Sequence, residues 1–190
     1  MDIKTRLPDD EPTEAFRAPT AFNMRPDIRF TISARGKPAD LPVLRFLARN
    51  FPTVPVAQID SMFGFVEGTT LYGGRVFRGP ELYPRDLAVM YEVGIGLRLP
   101  LSNHYVDEAE YARNRRFLEC HHRAGNSVIV TNDDLARWIR RDYPEYRIEA
   151  SVIKHLRTYD KIDAALEAYD TVILPMECCE QPEFLAGIGR

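Results

Sequence analysis

Ser127-Val128-Ile129-Val130-Thr131-Asn132-Asp133-Asp134-Leu135, and after it Arg147-Ile148-Glu149-Ala150-Ser151, are the stretches that decide the fold. The first run, 127–131, is apolar and β-branched, which reads as a buried strand. Asn132 or Asp133 then offers the side-chain oxygen that caps a helix. Leu135, Trp138 and Ile139 recur at helical spacing, and Pro144 ends the helix. The chain returns to a strand at 147–151. Strand, helix and strand in close succession form the unit from which parallel sheets are built.

The same alternation continues in both directions. Towards the carboxyl terminus, Ile162, Ala165, Leu166 and Tyr169 fall at i, i+3, i+4 and i+7, a helical stripe. A sixth strand follows at 171–174 and a short helix at 181–187. Towards the amino terminus, Gly125 or Asn126 stops a long helix that Asp107 and Glu108 open and that runs to about 123. Before it lie a third strand at 95–101 and a short helix marked by Leu87, Met90 and Tyr91 after Pro84. A second strand is expected at 54–59, with Pro52 and Pro55 confined to its start. A helix at 40–50 carries Leu44, Leu47 and Ala48, with Phe51 just beyond. The first strand, 28–33, alternates apolar and polar residues.

Six strand–helix units define an α/β fold, read as an incomplete (β/α) TIM-like barrel of about six parallel strands that lacks the last ones. A doubly wound open sheet fits the same alternation. Its dinucleotide-binding form needs three glycines after the first strand, and Ser33-Ala34-Arg35-Gly36 holds one. Gly94-Ile95-Gly96 precedes a strand rather than following one, and no Walker loop occurs. Residues 1–26, with prolines at 8, 12, 19 and 26, read as an arm that Phe16 and Phe22 dock onto the body. The barrel domain takes 27–190.

Composition narrows the function classes. Apolar residues make up 45% and charged residues 28% of 190 residues, with a net charge of -3. Such a balance gives no reason to expect general nucleic-acid affinity or attraction to an anionic membrane. No apolar run approaches the roughly 20 residues of a membrane span. Residues 1–14 lack the apolar centre of a secretory signal. Three cysteines, Cys120, Cys178 and Cys179, make no disulfide framework, so a cytoplasmic location is expected.

The run from Asn126 through Asn132-Asp133-Asp134-Leu135, Ile139-Arg140, Tyr143-Pro144 and Ile148-Glu149-Ala150-Ser151 resembles the middle of the collagenase-like peptidase family. That family also holds ubiquinone- and tRNA-hydroxylation accessory proteins. Tyr169 to Pro175, Glu183-Phe184-Leu185 and Leu99-Pro100-Leu101-Ser102-Asn103 extend the likeness. The resemblance implies a barrel and hydrolase-like, peptidase-like or hydroxylation-accessory work on a peptide, RNA or small organic substrate. Family members carry a cysteine cluster beyond the sixth strand, which in several binds iron–sulfur. The sequence here stops where that region would begin, so neither cluster nor peptidase activity carries over, and no cofactor is assigned. Six strands where the family builds eight imply two open edges. The alternative is therefore a non-catalytic accessory or scaffold subunit, its edge covered by a protein partner or by self-association, or a truncated gene product.

Barrel enzymes place their chemistry at the carboxyl ends of the strands. His104 has the side chain of a general base or metal ligand, or is a loop histidine bonded to a backbone carbonyl. Asp60 and Glu177 are candidate acid–base carboxylates, or with His104 a His-plus-carboxylate metal set. No ligand pair has diagnostic spacing, so no metal is assigned. These three are the candidate catalytic residues. Ser102, Asn103, Ser151 and Lys154 follow strands and are candidate substrate contacts. Arg75, in the glycine-rich segment 60–80, either forks onto a carboxylate or phosphate or is a solvated loop arginine. Asn132-Asp133 is read as a helix cap, His121-His122 as a helix end, and Cys120 as an inert thiol.

Overall fold

Successive residues of a strand point to opposite faces, and the strand register shows what each face carries. The computed structural model describes residues 28–188; the arm with Phe16 and Phe22 lies outside the described residues. The strands are β1 (Phe30–Ser33), β2 (Ile59–Phe63), β3 (Gly96–Leu101), β4 (Ser127–Val130), β5 (Arg147–Ala150) and β6 (Thr171–Val172). All are parallel, in the spatial order β1-β2-β3-β4-β5-β6. Between them run α1 (Val43–Asn50), α2 (Pro84–Glu92), α3 (Glu108–Arg113), α4 (Arg115–His121), α5 (Asp133–Asp142) and α6 (Tyr159–Leu166). Two short helices, α7 (Met176–Cys179) and α8 (Pro182–Gly187), follow β6. A doubly wound sheet reverses its strand order at a switch point; this one never does, which is barrel winding.

One face is wholly apolar. Ile32, Met62, Leu97, Leu99, Leu101, Val128, Val130, Ile148 and Ala150 align across the strands and are all buried. They share a core with Val43, Phe46 and Leu47 of α1, Met90 of α2, Leu118 of α4, and Leu135 and Ile139 of α5. Burying nine such side chains supplies the main drive to fold.

The other face aligns Thr31, Ser33, Ser61, Arg98, Ser127, Arg147, Glu149 and Thr171, with Phe63, Pro100 and Ile129 among them. Two ion pairs on it join strands that are not neighbours. Arg98 of β3 meets Glu149 of β5, and Asp60 of β2 meets Arg147 of β5 at 3.0 Å. In a flat sheet β2 and β5 stand about 14 Å apart, so this face is concave. The sheet is a curled half-barrel. Among the described residues no strand pairs with the outer edge of β1 or β6.

Several boundaries differ from the sequence expectation. The second strand is 59–63 rather than 54–59, because Pro55 has no N–H for a ladder and the chain makes a 3-10 turn at Val56–Gln58. The register slips there: Phe30 faces Ile59 and Thr31 faces Ser61, leaving Asp60 as the extra residue of a bulge. The long helix breaks at Asn114, whose amide turns aside to bond Thr69, Thr70 and the Glu110 carbonyl. The sixth strand keeps only Thr171–Val172, and Glu177, Cys178 and Cys179 lie on α7 instead of a strand end. No helix among the described residues is long and apolar enough to cross a membrane.

The amino-terminal ends of β3 and β4 are closed by Asn126, which is 1% exposed. Its Oδ1 accepts the Leu97 N–H at 2.8 Å; its Nδ2 donates to the Tyr91 hydroxyl and the His121 carbonyl. Gly96 beside it permits the backbone contact, since a Cβ there would stand 1.9 Å from the Gly125 oxygen. Asn126→Ala strands one buried and two partly buried polar groups and is expected to cost about 3 kcal/mol. Urea unfolding tests this: the midpoint should fall with the slope unchanged.

Candidate functional site at the carboxyl ends of the strands

The concave face is organised around one carboxylate. Glu149 is 1% exposed, and the Arg98 guanidinium grips it with two nitrogens, Nε at 3.0 Å from Oε1 and a terminal nitrogen against Oε2. A fork of this kind fixes both side chains. Ser127 lies next to Arg98 and Arg147 in the register, and its buried hydroxyl bonds no other group of the described residues.

Above this layer, β4 and β5 end in a cluster of titratable groups. Lys154 Nζ donates to Asp133 Oδ1 at 2.7 Å and to the Thr131 carbonyl at 3.2 Å. The Tyr169 hydroxyl donates to the same Asp133 oxygen at 2.5 Å. Burial pushes the Asp133 carboxyl up, but the bonds from Lys154 and Tyr169 and the ammonium charge outweigh it and hold the group below its ordinary value. Burial, then the bond to Asp133, raises the Tyr169 phenol. Asn132 caps α5 by accepting the Leu135 N–H, as the sequence implies, and its Nδ2 also holds the His104 carbonyl at 3.0 Å.

At the carboxyl ends of β1 and β2 the chain forms a cleft of about 850 Å³. Arg35, Arg75 and Arg78 line it together with Phe63, Phe65 and Tyr83. The Arg75 guanidinium lies over the Phe63 ring, 5.6 Å from its centroid. The one acid in the lining, Glu81, accepts the Phe65 N–H at 3.1 Å.

The three candidate catalytic residues are not brought together. Asp60 sits at the amino-terminal end of β2, bound to Arg147. Glu177, on α7, is bound to Arg157 at 2.7 Å. His104 is exposed, and its ring lies beside that of Tyr105, with centroids 6.2 Å apart. The candidate substrate contacts divide. Ser102 is buried and its hydroxyl bonds nothing among the described residues. Asn103 is structural: it donates to the Thr70 carbonyl and to Glu110, and its own N–H reaches the Leu71 carbonyl. Gly73 packs against it with φ 67, where a Cβ would stand 2.9 Å from Asn103 Cα. Ser151 turns its hydroxyl to the Ile153 N–H. Lys154 and Arg75 line the cluster and the cleft. Sequence reasoning missed Arg35, Arg78, Phe63, Arg98, Glu149 and Tyr169. The only signal was a charged residue at an inward strand position in Leu97-Arg98-Leu99 and Ile148-Glu149-Ala150.

Among the described residues, no group of three or more His, Cys, Asp or Glu side chains is placed to hold a metal ion. Cys178 is buried; Cys120 and Cys179 are exposed. No family model, curated protein or solved structure matches this chain.

Arg98→Met leaves the Glu149 carboxylate buried without its cation, which is expected to cost about 3–5 kcal/mol, whereas Arg98→Met/Glu149→Met is expected to be close to neutral. Thermal and urea unfolding of the two variants separate these outcomes; equal losses would contradict the pairing. A second expectation concerns pH. His121 of α4 reaches Glu67 at 3.3 Å and so ties the long β2–α2 loop to the helices. Burial lowers the His121 imidazole below its ordinary value despite the opposing pull of Glu67. The unfolded chain therefore takes up this proton before the folded one, and stability falls as pH drops from about 7 through the lowered value. His121→Gln should remove that part of the slope in a series of urea midpoints between pH 7.5 and 5.

Proposed function

We propose that the chain is an enzyme-like half-barrel of the collagenase-like peptidase type, receiving a polar or charged organic substrate on the concave face near the carboxyl ends of its strands. The observation that carries this is the chemistry of that face. A barrel interior that fills itself is dominated by branched apolar side chains. Here the inward set is Thr31, Ser33, Ser61, Arg98, Ser127, Arg147, Glu149 and Thr171, with Phe63, Pro100 and Ile129 as the apolar residues among them, whereas the opposite face is wholly apolar. Such a lining is suited to hydrogen-bond a solvated ligand, and the Arg98–Glu149 fork holds its centre rigid.

A second reading has its own support. The outer edges of β1 and β6, unpaired among the described residues, suit an accessory subunit whose edges another protein surface covers. Sedimentation decides for or against it: a dimer or heteromer is required, and a well-behaved monomer counts against it.

The main reading is tested by ligand-observed NMR against short peptides, oligoribonucleotides and small organic acids. At least one class should give saturation transfer with the wild type and lose it with Arg98→Met/Glu149→Met, which keeps the fold but removes the central ion pair of the face. Signals unchanged in that variant, or no signal from any class, would overturn the proposal.

A further inference from the structure

The arginines of this chain are not treated alike. Among the described residues six of them, Arg98, Arg137, Arg140, Arg141, Arg147 and Arg157, form ion pairs with Asp or Glu. The groove of about 720 Å³ between α5 and α6 looks cationic, but Arg137, Arg140 and Arg141 there are each matched by an aspartate. Arg45, Arg49, Arg113 and Arg116 on the helices also lack an acid among the described residues, but at the carboxyl ends of β1 and β2 three such arginines line one cleft. Among the described residues, the guanidinium groups of Arg35 and Arg78 have no hydrogen-bond or ion-pair partner, and that of Arg75 has only the face of Phe63. Glu81, the only acid in that lining among the described residues, already spends an oxygen on the Phe65 N–H.

Three like charges around one cleft repel one another, and among the described residues only Glu81 in the lining offsets them. The chain as a whole is acidic, with net charge -3, so the cluster is not the by-product of a basic protein. The cleft of about 850 Å³ has the size of a small-molecule site. Phe63 holds the Arg75 guanidinium by its face, which leaves the N–H edge free to fork onto an oxyanion. Phe65 and Tyr83 add flat apolar wall. Guanidinium donors match the oxygens of phosphate, and an aromatic wall matches a planar ring.

We propose that the cleft between the β1 end and the β2–α2 loop binds a small phosphorylated ligand, with Arg35, Arg75 and Arg78 on a di- or polyphosphate group and the aromatic side chains against a planar ring, as in a nucleoside diphosphate. The proposal goes beyond the concave-face reading: it adds a separate anion site at the rim of the same half-barrel, which Arg98 and Glu149 do not line. No bond is made or broken in it; this is a binding site.

The test is isothermal titration of the full-length protein with inorganic pyrophosphate, ADP and adenosine, without added metal, at low and high salt. Pyrophosphate should bind and weaken as salt rises. ADP should bind at least about tenfold more tightly than pyrophosphate through the ring contact, and adenosine should bind far more weakly than either. Arg35→Ala and Arg78→Ala should each weaken ADP about tenfold or more with the melting temperature unchanged, because neither guanidinium supports the fold. Arg98→Met/Glu149→Met should leave pyrophosphate affinity as it is, so the anion site and the role proposed for the concave face fail separately. Pyrophosphate binding that survives Arg35→Ala/Arg78→Ala, adenosine binding as tightly as ADP, or no binding of any probe would overturn the proposal.

Discussion

A carboxylate removed from water stays in a fold only if something positive and well aimed comes with it. Glu149 is such a group, in the middle strand positions of β5, and Arg98 two strands away is its cation. The pair forms because β3, β4 and β5 lie side by side in a register that brings both side chains together on one face. It thereby ties sheet order, register and inward face together. Its contribution to net stability is modest, since ion pairs of this kind roughly repay their own desolvation. What it excludes is the slip of one residue, which would drive Glu149 into the packed apolar side among Val128, Ile148 and the helices. Asp60 and Arg147 repeat the device lower on the face, exposed and weaker, across two intervening strands.

Much of this was legible in the sequence, for definite reasons. The strands at 127–131 and 147–151 announce themselves through β-branched runs, a capping Asn132 and a stopping Pro144, all local signals. Parallel order follows from the helices between the strands. The boundaries that moved are those where a side chain acts over distance. Asn114 breaks a helix that its own neighbours favour, because Thr69 and Thr70, far back in the chain, take its amide. Val54 and Val56 look like strand residues, but Pro52 and Pro55 deny the ladder its donors and push the strand four or five residues on.

The site was far less legible, because it depends on which residues meet across strands. Asp60 seemed to follow a strand; once the strand is 59–63 it begins one, at the opposite end from the functional rim. Glu177 and His104 do follow strands, yet one is paired to Arg157 and the other faces solvent beside Tyr105. Asn103 turned out to anchor the glycine-rich loop rather than to face a ligand. Arg75 was visible from its loop, while Arg35 and Arg78 gained meaning only when the cleft between β1 and β2 showed three guanidinium groups without an acid for each. Where the strands end, the molecule leaves polar groups in two places: a Lys154–Asp133–Tyr169 cluster that is internally satisfied, and an arginine cleft that is not.

The curl of the sheet is the premise on which the concave face, its ion pairs and the rim all depend. It is tested most directly by spin labels at positions 31 and 171, on the inward faces of β1 and β6, in a chain whose three cysteines are replaced by serine. In a flat six-stranded sheet these positions, five strand spacings and four residues of register from each other, stand about 27 Å apart. A dipolar distance well below that is the predicted result; one equal to it or longer would contradict the half-barrel.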